Sequence, residues 1–231
     1  MKKPIQIILA IILTLVGMFS VYEIINKTSN NEITDNEKFK EEYESLNDKI
    51  NNSNSKAYPN VDIIEKNNIV YSTEDEIVNL IKSGTAVIYL GFPECPWCRN
   101  AIPVLLDAMS ETSLEKIYYL NIKDIRDIKK LDGNSNVVTE KEGTIGYYKI
   151  LEALGDKADV YKGLNDESIK RIYAPTVIFV RNGKVTSLHT STVESQKDPY
   201  IKLTDEQTSE LKEIYLKGIH KVLADLCDES C

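Results

Sequence analysis

An apolar run from Thr85 to Phe92 places hydrophobic side chains on both faces of an extended chain. This pattern is typical of a buried central strand. Upstream, Thr73–Glu76 has the spacing of a capping box, which predicts a helix that continues to about Lys82. Two short apolar segments, 61–64 and 69–71, are predicted as strands, so globular structure is expected to begin near the first of them.

A second helix is predicted directly after the central strand, beginning near Cys95. Its apolar face consists of Ala101, Val104, Leu105, Ala108 and Met109. Pro103 within this helix predicts a kink. The next apolar segment, Ile117–Ile122, is predicted as a strand, so the three elements form a right-handed parallel crossover. Folds of this α/β class place functional groups at the carboxyl ends of such strands.

The region from Lys123 to Lys170 is longer than a simple crossover requires, and it is predicted as an insertion over the sheet. It contains a polar loop at Asp132–Gly143 and a helix predicted for Thr144–Leu154. Four tyrosines lie in and after this region. They either line a surface near an active site or pack against the inserted helix, and packing is the simpler interpretation. They are Tyr147, Tyr148, Tyr161 and Tyr173.

A β-hairpin is predicted after the insertion. The strand-like segments Ile172–Arg181 and Lys184–His189 are joined by Asn182–Gly183, a strong two-residue turn signal. Pro175 lies at the entrance to the first segment, where proline is tolerated. From the residues alone a trans peptide bond is the default at this proline, and a cis bond is the alternative.

The chain ends with a predicted helix and a second pair of cysteines. Another capping box, Thr204–Gln207, starts the helix, which is expected to reach about Leu226. Cys227 and Cys231 follow, four residues apart. We expect one of three arrangements: a local disulfide between them, a relay that exchanges disulfides with Cys95 and Cys98, or free thiols. A zinc site made of all four cysteines is a further alternative.

The N-terminus predicts a membrane anchor. Lys2 and Lys3 precede an apolar run from Ile5 to Val21 that extends to Ile25 and is long enough to span a bilayer. The two lysines orient the rest of the chain to the outside. We therefore expect a transmembrane anchor at residues 1–25, with a cleaved signal peptide as the alternative.

Residues 26–60 are rich in Asn, Ser, Glu and Lys and are predicted as a polar spacer before a domain at 61–231. Four apolar residues of the spacer recur at helical spacing, which indicates a short stalk helix or, alternatively, a partner-binding helix. They are Phe39, Tyr43, Leu46 and Ile50.

Charge and cysteine content narrow the function classes. The chain of 231 residues has a formal net charge of −8, which argues against a nucleic-acid surface. Its four cysteines are too few for a disulfide scaffold, so they indicate chemistry. No cofactor or metal is predicted, and His189 and His220 are interpreted as ordinary residues of a strand and a helix.

Cys95 and Cys98 form a Cys-Pro-Trp-Cys motif at the end of the central strand. The first turn of a helix brings residues three apart close enough for a disulfide. At the helix N-terminus, unpaired N–H groups favour the thiolate of Cys95, so it is predicted to be the nucleophile. Cys98 lies one turn further in and is predicted to be the resolving thiol. Pro96 suits the first helical position, and Trp97 adds no charge.

This order of elements, with Cys-Pro-Trp-Cys and Ala174-Pro175-Thr176, resembles the thioredoxin superfamily over Val61–Leu226. The resemblance implies that Pro175 is cis and lies beside the cysteine pair. It implies that Ala174 offers its backbone to an extended substrate segment. Trp97, Ala174, Pro175 and Thr176 are the residues that it places against the substrate. Membrane-anchored Gram-positive members, including bacteriocin transport accessory proteins, look most similar.

Two positions depart from the family pattern. Thioredoxins carry a buried acid on the strand before the motif, whereas this strand offers Tyr89. Glu94 replaces the tryptophan that usually precedes the first cysteine, and its charge is expected to oppose the thiolate somewhat. The sequence therefore does not identify the group that takes the proton of Cys98.

The sequence thus predicts a membrane-anchored thiol–disulfide oxidoreductase that faces outward and acts on protein thiols or disulfides. A membrane or extracytoplasmic electron partner is implied, and the direction of electron flow is open. The alternative is a docking module for a secretion or bacteriocin system, in which the cysteine pair is only structural.

Overall fold

A computed structural model of the chain describes residues 33–224. The helices are α1 (Asp35–Glu44), α2 (Glu74–Ser83), α3 (Pro96–Ser110), α4 (Ile145–Leu154) and α5 (Asp205–Leu223). The strands are β1 (Ile50–Asn51), β2 (Lys56–Ala57), β3 (Ile69–Tyr71), β4 (Ala86–Gly91), β5 (Ile117–Asn121), β6 (Ile128–Leu131), β7 (Val137–Lys141), β8 (Asp159–Val160), β9 (Lys170–Arg171), β10 (Thr176–Arg181) and β11 (Lys184–Thr190).

Five of the strands form one mixed sheet in the order β11-β10-β4-β5-β3. Strands β3, β5 and β4 are parallel, while β10 runs antiparallel to both β4 and β11. The parallel crossover through α2 therefore joins the edge strand β3 to the central strand β4, and the crossover through α3 joins β4 to its neighbour β5. The protein is a mixed α/β protein, as the sequence predicts.

The sheet separates two hydrophobic cores, and the central strand β4 contributes to both. All six residues of β4 are buried, which confirms the predicted central strand. Val87 and Tyr89 pack on the face covered by α1, α3 and α5. Ile88 and Leu90 pack on the opposite face, which α2 and α4 cover. Alternation along one strand thus fixes which helix layer each side chain meets.

Local signals place several boundaries where the sequence predicts them. Thr73 caps α2 and Thr204 caps α5, each through a reciprocal capping box with Glu76 and Gln207. The β10–β11 turn has positive φ angles of 48° at Asn182 and 71° at Gly183. Both angles are what a tight hairpin with the strand twist requires.

Within the predicted spacer at residues 26–60, the short helix indicated by Phe39 and Tyr43 is present as α1, but it belongs to the folded core and not to a stalk. Helix α1 buries Phe39 and Tyr43 completely in the core beside the sheet. The compact unit that contains the sheet accordingly begins at Asp35. The predicted strand at 61–64 is also wrong: the segment is irregular, although Val61 and Ile63 are buried in the same core.

The predicted insertion at residues 123–170 needs a correction as well. Helix α4 belongs to the core, because Tyr147, Ile150 and Leu154 pack with α2 and the sheet. The excursions are instead two small strand pairs, β6–β7 and β8–β9. Packing is confirmed for Tyr147 and Tyr161, which are buried, whereas Tyr148 and Tyr173 are half-buried.

The ends of the chain lie beyond the described residues. The predicted anchor at 1–25, the last predicted helical residues up to Leu226, and Cys227 and Cys231 all fall in those ends. Within residues 33–224, no helix combines the length and apolar character needed to cross a bilayer.

We predict that Phe39→Ala destabilises the folded domain by about 3–5 kcal/mol, because it leaves a cavity in the main core. Chemical denaturation of the purified protein measures this change. Ile50→Ala is the matched control, since Ile50 belongs to the same apolar series but is 56% exposed. Its effect is expected to stay within about 0.5 kcal/mol. Equal, small effects of both changes would contradict the placement of α1 in the core.

Candidate functional site: a thiol pair at the start of helix α3

The predicted cysteine pair lies at the junction between β4 and α3. Cys95 is the N-cap of α3, with φ −79° and ψ 115°, and Pro96 occupies the first helical position. The backbone N–H of Cys98 donates a hydrogen bond to Cys95 Sγ over 3.3 Å. This geometry confirms that the helix begins at the motif, and it directs the free N–H groups of the first turn toward one sulfur.

The two thiols differ in access. Both are free in the structure. Cys95 keeps 6% of its surface exposed, whereas Cys98 is completely buried in the core. Cys95 is therefore the more accessible of the two sulfurs.

The loop before β10 closes the other side of Cys95. The peptide bond between Ala174 and Pro175 is cis, so the default of a trans bond was wrong and the geometry implied by the family resemblance is present. As a thiol, Cys95 donates to the Ala174 carbonyl oxygen at 3.3 Å. The structure thus brings Cys95, Cys98, Ala174 and Pro175 together from distant parts of the chain.

The remaining predicted substrate contacts occupy different environments. Trp97 is half-buried in the first turn of α3 and packs against the core edge. Thr176 is buried, and its hydroxyl donates to the Tyr173 carbonyl oxygen at 2.7 Å. The Thr176 side chain therefore holds the loop that carries Pro175.

The electrostatics of the pair favour one thiolate at Cys95. Burial raises the pKa of Cys95, but hydrogen bonds from the Cys98 thiol and from the N–H groups of Cys98 and Trp97, together with the charge of Arg126, lower it below its ordinary value. The pKa of Cys98 is raised well above its ordinary value, first by burial and then by Cys95. Ionisation of the pair is therefore favoured at the more accessible sulfur, that of Cys95.

Arg126 is a charged neighbour of the thiol pair that sequence reasoning missed. Its guanidinium stacks 5.0 Å from the ring centre of Phe92, whose carbonyl oxygen accepts the N–H of Cys95 at 3.2 Å. Burial and the nearby charge of Arg171 lower the pKa of Arg126. Among the described residues, neither arginine forms an ion pair with a carboxylate. The motif itself carries no signal for Arg126, because a fold contact far along the chain brings it there.

Glu94 has a partner that reduces its effect on the thiolate. Its carboxylate pairs with Lys123 Nζ at 2.5 Å, and both side chains are partly exposed. An ion pair of this kind is largely solvent-screened. Glu94 therefore opposes the Cys95 thiolate less than its charge alone suggests.

Possible metal-binding side chains do not cluster in the described part of the chain. Residues 33–224 contain no group of three or more His, Cys, Asp or Glu side chains that could hold a metal ion. His189 is mostly buried, and its Nε2 lies 2.8 Å from the Thr192 carbonyl oxygen, while His220 is exposed on α5. The four-cysteine zinc alternative depends on Cys227 and Cys231, which lie outside the described residues.

No protein-family model matches this chain, and no curated protein matches its sequence. The class of the site consequently follows from its geometry. It is a dithiol at a helix N-terminus in an α/β protein, faced by a cis-proline loop and an unpaired arginine.

We predict that Arg126→Gln raises the pKa of Cys95, because it removes a positive charge that favours the thiolate. At a pH below the pKa of Cys95, alkylation of this residue by iodoacetamide should become several-fold slower, because less of it is present as the reactive thiolate. The pH dependence of the alkylation rate, followed by mass spectrometry, measures the shift.

Arg181→Gln serves as the charge-matched control, since Arg181 lies at the opposite end of β10. Its alkylation profile should coincide with that of the unmodified protein. The assignment of Arg126 fails if both variants move the profile equally, or if neither does.

Proposed function

We propose that this protein is a thiol–disulfide oxidoreductase that acts on protein thiols or disulfides through Cys95 and Cys98. One observation carries the proposal: the slightly exposed sulfur of Cys95 caps α3 and lies 3.3 Å from the carbonyl oxygen before a cis-proline. Cys98 is buried directly behind it. A purely structural dithiol needs neither the exposed nucleophile nor the facing loop.

The finer fold assignment is part of this proposal. The sheet order, the two parallel crossovers and the final antiparallel hairpin match what the thioredoxin superfamily resemblance implies. Helix α1, the β1–β2 pair and the β6–β7 pair would be additions to that fold. The family pattern would thus cover the chain from β3 to α5.

The reaction proceeds by two exchanges. The Cys95 thiolate attacks one sulfur of a substrate disulfide, forms a mixed disulfide and releases the first substrate thiolate, which takes up a proton. Cys98 then loses its proton and attacks Cys95 Sγ. The Cys95–Cys98 disulfide forms, and the second substrate sulfur leaves as a thiolate. Two electrons pass from the protein to the substrate, and the reverse sequence oxidises a substrate dithiol.

Substrate docking is proposed at the loop around Ala174. This residue is half-buried and precedes the cis-proline, so an extended substrate segment can pair with its backbone beside Cys95. Trp97 is half-buried in the first turn of α3, two residues after Cys95, and would border the bound segment.

The location remains part of the proposal. The apolar run before residue 26 supports a single membrane anchor, with the domain outside the cell membrane. An electron partner in or outside the membrane would then restore the pair after each turnover. The direction of net flow follows from the reduction potential of the pair, which equilibration with glutathione buffers measures.

We predict that the full chain in detergent, with Cys227 and Cys231 changed to serine, catalyses reduction of insulin disulfides by dithiothreitol. Cys95→Ser should abolish the catalysed rate, since no nucleophile remains. Cys98→Ser should trap a mixed disulfide at Cys95, which mass spectrometry detects. Turbidity of the insulin chains reports the rate.

The docking alternative leads to a different result. If the cysteine pair is only structural, neither variant changes insulin reduction, and no mixed disulfide accumulates in Cys98→Ser. Comparison with the chain that retains Cys227 and Cys231 shows separately whether the C-terminal pair takes part.

A further inference from the structure

A group of buried tyrosines lies beneath the thiol pair, on the face that α1, α3 and α5 cover. Its members are Tyr43, Tyr89, Tyr119 and Tyr215. The Tyr89 ring stacks on Tyr119 with the ring centres 5.6 Å apart. Most of these hydroxyls are ordinary parts of a mixed aromatic core, but that of Tyr89 has a particular neighbour.

The hydroxyl of Tyr89 and the sulfur of Cys98 meet beside Gly91. A Cβ atom at Gly91 would lie 2.6 Å from Tyr89 Oη and 3.1 Å from Cys98 Sγ. Glycine is therefore required here, because any side chain would occupy the space in which the two groups approach. Burial raises the pKa of Cys98, whereas the Tyr89 hydroxyl, acting as a donor, lowers it.

Tyr89 has one further partner, Tyr43 of α1. Their hydroxyl oxygens are 2.9 Å apart, and both side chains are completely buried. Burial raises the pKa of both hydroxyls well above the ordinary value, so both keep their protons. They are hydrogen-bond donors and cannot act as bases.

We propose that Tyr43, Tyr89 and Cys98 form a chain of hydrogen-bond donors that ends on Cys95, and that Tyr89 and Tyr43 are positioning residues for the resolving thiol. Tyr43 donates to Tyr89, Tyr89 donates to Cys98 Sγ, and the Cys98 thiol donates to Cys95 Sγ. Each hydroxyl has only one proton, so this order lets every proton point toward the negative charge. Hydrogen bonds arranged in such a series strengthen one another.

The sulfur at the end of this series of hydrogen bonds changes during the proposed reaction. This inference rests on that reaction. While Cys95 is a thiolate, the chain ends on its sulfur. Once Cys95 is bonded to the substrate sulfur and the first substrate thiolate has left, the proton of Cys98 neutralises that first thiolate. The Tyr89 hydroxyl then stabilises the Cys98 thiolate as it attacks Cys95 Sγ. One S–S bond forms and one breaks, and no further redox partner is needed in this step.

A neutral donor suits this position better than a carboxylate. Cys98 is fully buried, and a second ionised group beside it would carry a large desolvation cost. Asp127 is the only buried acidic residue in the described part of the chain, and its carboxylate pairs with Lys129 instead. Hydroxyl donors therefore replace an acid in the surroundings of the resolving thiol.

The proposal is tested by Tyr89→Phe in a single-turnover reaction with 5,5′-dithiobis(2-nitrobenzoate). The full chain with Cys227 and Cys231 changed to serine releases the coloured thiolate twice, first when Cys95 attacks and then when Cys98 resolves. Tyr89→Phe should leave the first phase nearly unchanged. The second phase should slow about tenfold or more, because a hydrogen bond to a charged group is lost. Its pH profile should also move to higher pH.

Two companion variants make the result specific. Tyr215→Phe removes a buried hydroxyl that has no hydrogen-bond partner among the described residues, so both phases should stay as they are. Tyr43→Phe should slow the second phase less than Tyr89→Phe does, because Tyr89 still donates to Cys98. Thermal unfolding of each variant shows that the fold is retained.

The failures of the two proposals are distinguishable. A normal second phase with an unshifted pH profile in Tyr89→Phe overturns the donor chain but leaves the oxidoreductase intact. Equal slowing in Tyr215→Phe also overturns it, since packing alone would then explain the effect. Absence of a second phase in the parent protein contradicts the proposed function itself.

Discussion

Four oxygen atoms surround the buried guanidinium of Arg99, the residue that follows Cys98. They are the carbonyl oxygens of Tyr43 (2.7 Å), Pro59 (2.6 Å) and Pro93 (3.3 Å), and Asn47 Oδ1 (2.7 Å). The side chain is 1% exposed, and within residues 33–224 no carboxylate pairs with it. A buried charge is tolerated only when its donors are satisfied, so these segments are held in fixed positions around α3.

The same guanidinium links the N-terminal helix to the thiol site. Pro93 belongs to the turn that delivers Cys95 to the start of α3, and Tyr43 lies near the end of α1. Holding both fixes the separation between Cys95 and the Tyr43 side chain, whose hydroxyl reaches Tyr89. Helix α1 is consequently a structural part of the thiol site, and the fold cannot be separated at the composition change near residue 60.

Local patterns in the sequence were sufficient for much of the fold and for the thiol pair. Capping boxes, the Asn182–Gly183 turn and the apolar central strand act over a few residues, so the sequence shows them directly. Helix α1 was assigned to a spacer because its mean composition is polar, and only Phe39 and Tyr43 are fully buried. Arg126 and the Tyr43–Tyr89 contact depend on chain segments that meet only in the folded protein.

The thiolate of Cys95 is favoured first by hydrogen bonds from Cys98 and Trp97 of the motif, and then by the charge of Arg126 from outside it. Trp97 carries no charge, which taken alone indicates a milder, more reducing dithiol. The fold, however, adds Arg126 beside Cys95, and it supplies backbone N–H donors to the same sulfur. Each favours the reduced, thiolate form of the pair, and a stabilised reduced form makes a dithiol more oxidising. The residues between the two cysteines are therefore an incomplete guide to how strongly the Cys95 thiolate is stabilised, because Arg126 contributes from outside the motif.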